Sequence, residues 1–147
     1  MSLRDRILAD TKTAMREKAR ERLSVLRMLS AAIKQREVDE RVELDEAAMT
    51  AVVEKMVKQR RDSEKQYREG GRDDLADKEA AEIVILEEYL PEQLDDAELE
   101  SLIEGAISDA GAGSMKDMGK VMGLLKPKIQ GRADMGAVSQ KVKARLG

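Results

Sequence analysis

Tyr89-Leu-Pro-Glu-Gln-Leu-Asp-Asp-Ala-Glu-Leu-Glu-Ser-Leu-Ile-Glu-Gly-Ala-Ile-Ser-Asp-Ala110 is the stretch that decides the fold. Pro91 steers Leu90 out of the helical region and so ends the helix before it. Asp95 and Glu98 then make a D-x-x-E start, and Leu99, Leu102, Ile103, Ala106, Ile107 and Ala110 recur at the spacing of one amphipathic helix face. A domain boundary therefore falls at Leu90-Pro91, with an N-terminal helical domain over 1–90 and a smaller three-helix domain over 91–147.

Downstream, Gly111-Ala-Gly113 breaks the helix and Ser114 and Asp117 begin the next one, with Met118, Val121, Met122 and Leu125 as its apolar positions and Pro127 closing it. Gly131 turns the chain and Asp134 caps a last helix, docked by Val138, Val142 and Leu146. The charge also changes sign here. Ser114 to Gly147 holds eight Lys or Arg against Asp117 and Asp134, a net of +6, while residues 1–113 carry 19 basic and 28 acidic residues, a net of −9. Such asymmetry points to an anionic partner at the basic end.

Upstream, Ser2 caps a first helix that presents Leu3, Ile7, Leu8, Thr11, Ala14 and Met15 and runs to about Lys18. A second starts near Arg20, with Arg22, Val25, Leu26, Leu29, Ala32 and Ile33 on one side and Met28 widening the stripe until both sides touch protein. Glu37 to Leu44 reads as a polar connection. Asp45 caps a third helix with Met49, Val52, Val53 and Met56 inward; past Val57 its stripe gives way to Arg60, Ser63, Glu64 and Tyr67, so it projects into solvent until Gly70-Gly71. Asp73 or Asp74 starts a fourth helix with Leu75, Ile83, Leu86 and Leu90 on its face and Tyr89 at the rim. The fold class is all-α: an N-terminal lobe of about four helices plus a C-terminal three-helix bundle.

Asp117-Met-Gly-Lys-Val-Met122, Gly131-Arg-Ala-Asp134 and Tyr89-Leu-Pro-Glu-Gln-Leu94 together resemble the GatB/YqeY family. Leu26-Arg-Met-Leu29, Ala31-Ala-Ile-Lys34, Arg61-Asp-Ser63 and Gly71-Arg-Asp-Asp-Leu75 extend the likeness over the whole chain, towards the stand-alone YqeY-like members. The resemblance implies two helical lobes, the second similar to the tail domain of the B subunit of the tRNA-dependent Asp/Glu amidotransferase. In that enzyme the tail contacts tRNA, while the ammonia channel and kinase site lie in a cradle domain that this chain does not match. By family association the activity would be a carbon–nitrogen ligation with glutamine as amido-N donor.

Composition narrows the chemistry. The chain has no Phe, Trp, His or Cys, so its core is built from Leu, Ile, Val, Ala and nine Met. The commonest bases, nucleophiles and zinc ligands are missing too. Fourteen acids against Lys78 alone crowd residues 73–109, without an EF-hand pattern, and read as a solvated acidic face. Gly111-Ala-Gly-Ser-Met-Lys116 lacks the final Gly of a dinucleotide fingerprint and the Gly-Lys-Ser/Thr of a P-loop, and reads as a turn with an N-cap. Gly119 and Gly123 form a G-x-x-x-G that lets two helices approach closely. No cofactor and no metal are expected, and the lack of Cys, export segment and membrane span points to a cytoplasmic protein.

The RNA-binding candidates are Lys116, Lys120, Lys126, Lys128 and Arg132. With Tyr67 and Tyr89 both in the other lobe, base stacking is not available to them, so they would read phosphate and shape. Arg27, Lys34, Arg60, Arg61 and Arg68 form a second basic group, read as salt-bridged. The functional expectation is a non-catalytic tRNA-binding module, or one associated with a tRNA-processing or tRNA-charging enzyme, with no membrane partner. Two rivals stand beside it: a component of glutamine-dependent amide transfer, and a protein-interaction module docking through the acidic 73–109 surface.

Overall fold

The computed structural model describes residues 2–147, and among them there is no strand. The helices are α1 (Leu3–Arg16), α2 (Arg20–Glu40), α3 (Glu46–Glu69), α4 (Asp73–Glu87), α5 (Asp96–Ala110), α6 (Met118–Ile129) and α7 (Met135–Leu146), with a 3-10 turn at Met115–Asp117. They fall into two compact units, one ending at Leu90 and the other running from Pro91 to Gly147.

In the first unit the caps of α1 and α3 follow the sequence. Ser2 Oγ accepts the Asp5 N–H and Asp45 Oδ1 the Ala48 N–H, each filling an orphan donor of a helix start. α1 stops at Arg16, short of Lys18, because Lys18 is left-handed (φ 57°) and the Ala19 N–H returns to the Ala14 carbonyl. α2 runs on to Glu40, which corrects the expectation of a connection from Glu37. Its polar last turns are held locally, by Gln35 to Asp39 and Arg36 to Glu40 at i, i+4. Glu37 also accepts from the Leu44 N–H at 2.9 Å and from Arg4 at 2.6 Å, and these two bonds, Leu44 first, hold its carboxyl below the usual carboxylate range. Met28 is exposed, so the two-sided burial expected of α2 does not hold.

The far half of α3 does not project free, as the sequence suggested; α4 lies along it. Arg60 pairs with Glu82, Arg61 with Glu87 and Arg68 with Asp77, so the partner numbers fall as the α3 numbers rise and the two helices are antiparallel. Gly71 (φ 74°) makes the turn between them. Neither Asp73 nor Asp74 caps α4; the Asp74 carboxylate is taken by Arg72. Tyr89 is buried rather than at the rim, its hydroxyl donating to Asp10 Oδ2 at 2.6 Å beneath the Arg6 guanidinium. The core joins Leu3 and Ile7 of α1 to Leu26 and Leu29 of α2, Val53 of α3 and Leu86 of α4.

The second unit has its own core, in which Ile103 of α5, Val121, Leu125 and Ile129 of α6, and Val138 and Val142 of α7 are fully enclosed. Asp95 caps α5 through the Glu98 N–H, and Gly111 (φ 61°) ends it in the left-handed conformation that glycine adopts at least cost. Ser114 makes no side-chain cap, contrary to expectation. Asp117 reaches back to the Gly113 N–H instead, closing the loop around the 3-10 turn. Pro127 does not close α6 either but sits in its last turn. The carbonyl deprived of a bond by the proline is that of Gly123, which is exposed and open to water.

Candidate nucleic-acid interface

Lys116 stands exposed on the 3-10 turn, and Lys120, Lys126 and Lys128 stand exposed on α6. At about 100° per residue, Val121, Leu125 and Ile129 fix the buried side of α6; Lys126 and Lys128 flank the outward arc and Lys120 lies between them, the three spanning roughly 200°. They coat the free side of the helix rather than forming one knot of charge. Gly119 and Gly123 lie on the same arc, with nothing within 4 Å of where a Cβ would be. This corrects the close-approach reading of the G-x-x-x-G: the two glycines leave bare backbone between the lysines.

Ion pairing divides most arginines of the first unit from its lysines, which are exposed and unpaired as the candidates are. In the first unit Arg4, Arg22, Arg36, Arg60, Arg61, Arg68 and Arg72 each hold a carboxylate. In the second, Lys141 and Arg145 pair with Glu100 of α5. Among the described residues Lys116, Lys120, Lys126, Lys128 and Lys143 have no ion pair. Arg27 and Lys34, expected to be salt-bridged, have none either, whereas Arg60, Arg61 and Arg68 do.

Arg132 differs from the lysines with which the sequence grouped it. It is half-buried, its Nε donates to the Glu92 carbonyl at 3.0 Å, and its own carbonyl accepts the Leu94 N–H at 2.9 Å. Gln93 Nε2 adds a bond to the Gly131 carbonyl at 2.7 Å. Arg132 thus fastens the segment entering α5 to the turn between α6 and α7. Gly131, at φ 78°, lets that turn fold inward.

The acidic stretch is partly neutralised by these same pairs. Among the described residues no group of three carboxylates could hold a metal ion, and no helix is long and apolar enough to cross a membrane. The sequence reading expected Arg60 to be salt-bridged but did not name Glu82 or foresee that the pair is largely out of water, although the placement of Arg60 where an apolar stripe should continue was a signal that it faces protein.

Two all-helical units, each with its own apolar core, define the class of protein by fold. The chain belongs to the YqeY family: the family model for Yqey-like protein matches residues 4–146. It is similar to the protein named altered inheritance of mitochondria protein 41, mitochondrial, from Pyrenophora tritici-repentis, with 30% identity over 97% of this chain and 80% of the relative. Proteins of the same name from Kluyveromyces lactis and Meyerozyma guilliermondii are 40% and 42% identical over 54% and 55% of this chain. The matched segment spans less than half of those two relatives, 44% and 42%. These names overturn the cytoplasmic expectation. A lack of Cys and of an apolar export segment does not separate cytosol from organelle matrix, because mitochondrial transit peptides are amphipathic and Arg-rich rather than apolar.

Proposed function

We propose that the chain is a non-catalytic tRNA-binding or tRNA-enzyme-associated module, and that the unit from Pro91 to Gly147 makes the contact. One observation carries this reading: Lys116, Lys120, Lys126 and Lys128 are exposed and unpaired in a stretch, Ser114 to Gly147, that carries a net charge of +6. Unpaired lysines beside bare helix backbone suit phosphates, which need positive charge and close approach but no base-specific geometry. The likeness to the amidotransferase tail supports tRNA as the RNA concerned. On this reading the chain performs no amide transfer by itself.

The test is the affinity of the full chain for total tRNA across a salt series. Removing one lysine that neutralises a phosphate flattens the slope of log affinity against log salt by about 0.7 to 0.9. Changing Lys116, Lys120, Lys126 and Lys128 to Gln should remove most of the binding, independent of sequence, and shift stability by only about 0.5 kcal/mol. Arg132→Gln belongs in a separate arm, because it also releases the Glu92 carbonyl. If wild-type protein shows no salt-sensitive affinity, or the four-fold variant keeps the wild-type slope, the RNA reading fails.

A further inference from the structure

The first unit carries a groove of about 640 Å³ that the tRNA reading does not use. It is walled by the first half of α2 and the middle parts of α3 and α4. Lining it is the Arg60–Glu82 pair, with side chains only 14% and 10% exposed and Nε to Oε1 at 3.3 Å. A guanidinium has five N–H donors. In Arg60 one goes to Glu82 and one to the Met56 carbonyl at 3.2 Å, while a third meets only the weakly accepting Met28 Sδ at 3.6 Å. Two have no acceptor among the described residues.

The groove is also lined by Arg20 and Lys78 and by Glu21 and Glu79. None of these four forms an ion pair among the described residues, although they line the same groove. Cations and acids in equal number, not paired with one another, suit a ligand that brings both signs. Glu21 and Glu79 oppose a simple anion, and Arg20 and Lys78 oppose a simple cation. Near the half-buried Arg60 a charge-assisted hydrogen bond is worth more than on an open surface.

We propose that this groove binds a small zwitterion with a free ammonium and a free carboxylate, as amino acids and short peptides carry. The carboxylate takes the unclaimed Arg60 N–H groups and the ammonium takes Glu79. Clefts of this volume hold ligands larger than a single amino acid, which favours a short peptide as the source.

The test is an NMR titration of the full chain with trialanine, N-acetyl-trialanine, trialanine amide and free alanine. Trialanine is expected to saturate, with amide shifts concentrated in 20–28, 59–63 and 78–82. Blocking either terminus should weaken binding about tenfold, the loss of one charge-assisted bond. Glu79→Gln, on the surface of α4, should weaken trialanine by a similar factor and leave the acetylated peptide unchanged. Trialanine binding more tightly than alanine identifies a peptide as the source; the reverse order identifies a free amino acid. The proposal is overturned if neither zwitterion saturates at about 10 mM, a concentration well above the millimolar range of weak binding. It is equally overturned if the blocked peptides bind as well as the free one, or if Glu79→Gln changes nothing.

Discussion

Tyr89 shows how a single side chain can be misplaced by a sound rule. On a helical wheel extended from Ile83 and Leu86 it falls at the edge of the apolar face. The regular helix ends at Glu87, however, and the bonds Glu88 to Ile85, Tyr89 to Leu86 and Leu90 to Glu87 tighten the last turn to i, i−3. Tyr89 also follows Ile85 and Leu86 by four and three residues, and both of these are buried, so it falls on the enclosed side rather than at its edge. Burial, and then the bond to Asp10, push its phenol above its ordinary value of about 10. The folded state therefore keeps the phenolic proton more tightly than the unfolded chain does. The resulting stability is complete below about pH 10 and is lost as pH rises from there towards the folded-state value. Tyr89→Phe should cost about 1–2 kcal/mol at neutral pH through the lost bond, and should remove this part of the alkaline decline. Urea midpoints from roughly pH 8 to 11 measure both effects; an unchanged alkaline slope in the variant would show that Tyr89 is not the titrating group.

At the scale of elements, helix starts were more legible than helix interiors. Ser2, Asp45 and Asp95 each cap a helix through a backbone N–H three residues on, a local geometry that the sequence specifies by itself. The covered half of α3 depends on a partner, α4, that periodicity does not name. Arg60 is the clearest case: read as salt-bridged where α3 enters solvent, it does pair, but with Glu82 on α4 and with both side chains largely out of water. Removing one partner, as in Glu82→Ala, should cost about 3–5 kcal/mol by leaving an uncompensated charge. Arg60→Met with Glu82→Leu should recover most of that loss, because an apolar pair of similar volume avoids the desolvation cost altogether. Denaturant unfolding of the two variants decides this. If the double variant is no better than the single one, the pair is holding the α3–α4 hairpin by geometry rather than merely tolerating burial.

For the molecule as a whole, the charge reversal at Ser114 was plain in the sequence, and so was the family. The groove was not, since its lining comes from three helices and runs from Arg20 to Glu82, and only the packed chain brings Arg20, Arg60 and Lys78 together. The split of Arg132 from the lysines was hidden for the same reason: its partner Glu92 is forty residues away. Each unit encloses its own apolar cluster, and the two clusters share no residue. A fragment from Pro91 to Gly147 should therefore fold alone, with helical circular dichroism and a cooperative melt. Its stability should be modest, since a domain near 60 residues buries only about 60% of its chain surface. Arg132→Gln should lower the melt of that fragment, because the Glu92 carbonyl then loses the donor that ties the entry of α5 to the turn after α6. Lys128→Gln should not, because Lys128 is exposed and unpaired. An unfolded fragment would mean that the clusters, although separate, depend on one another. Equal melts for the two variants would mean that the Arg132 bonds contribute nothing, and would return that residue to the set of cations available to a phosphate.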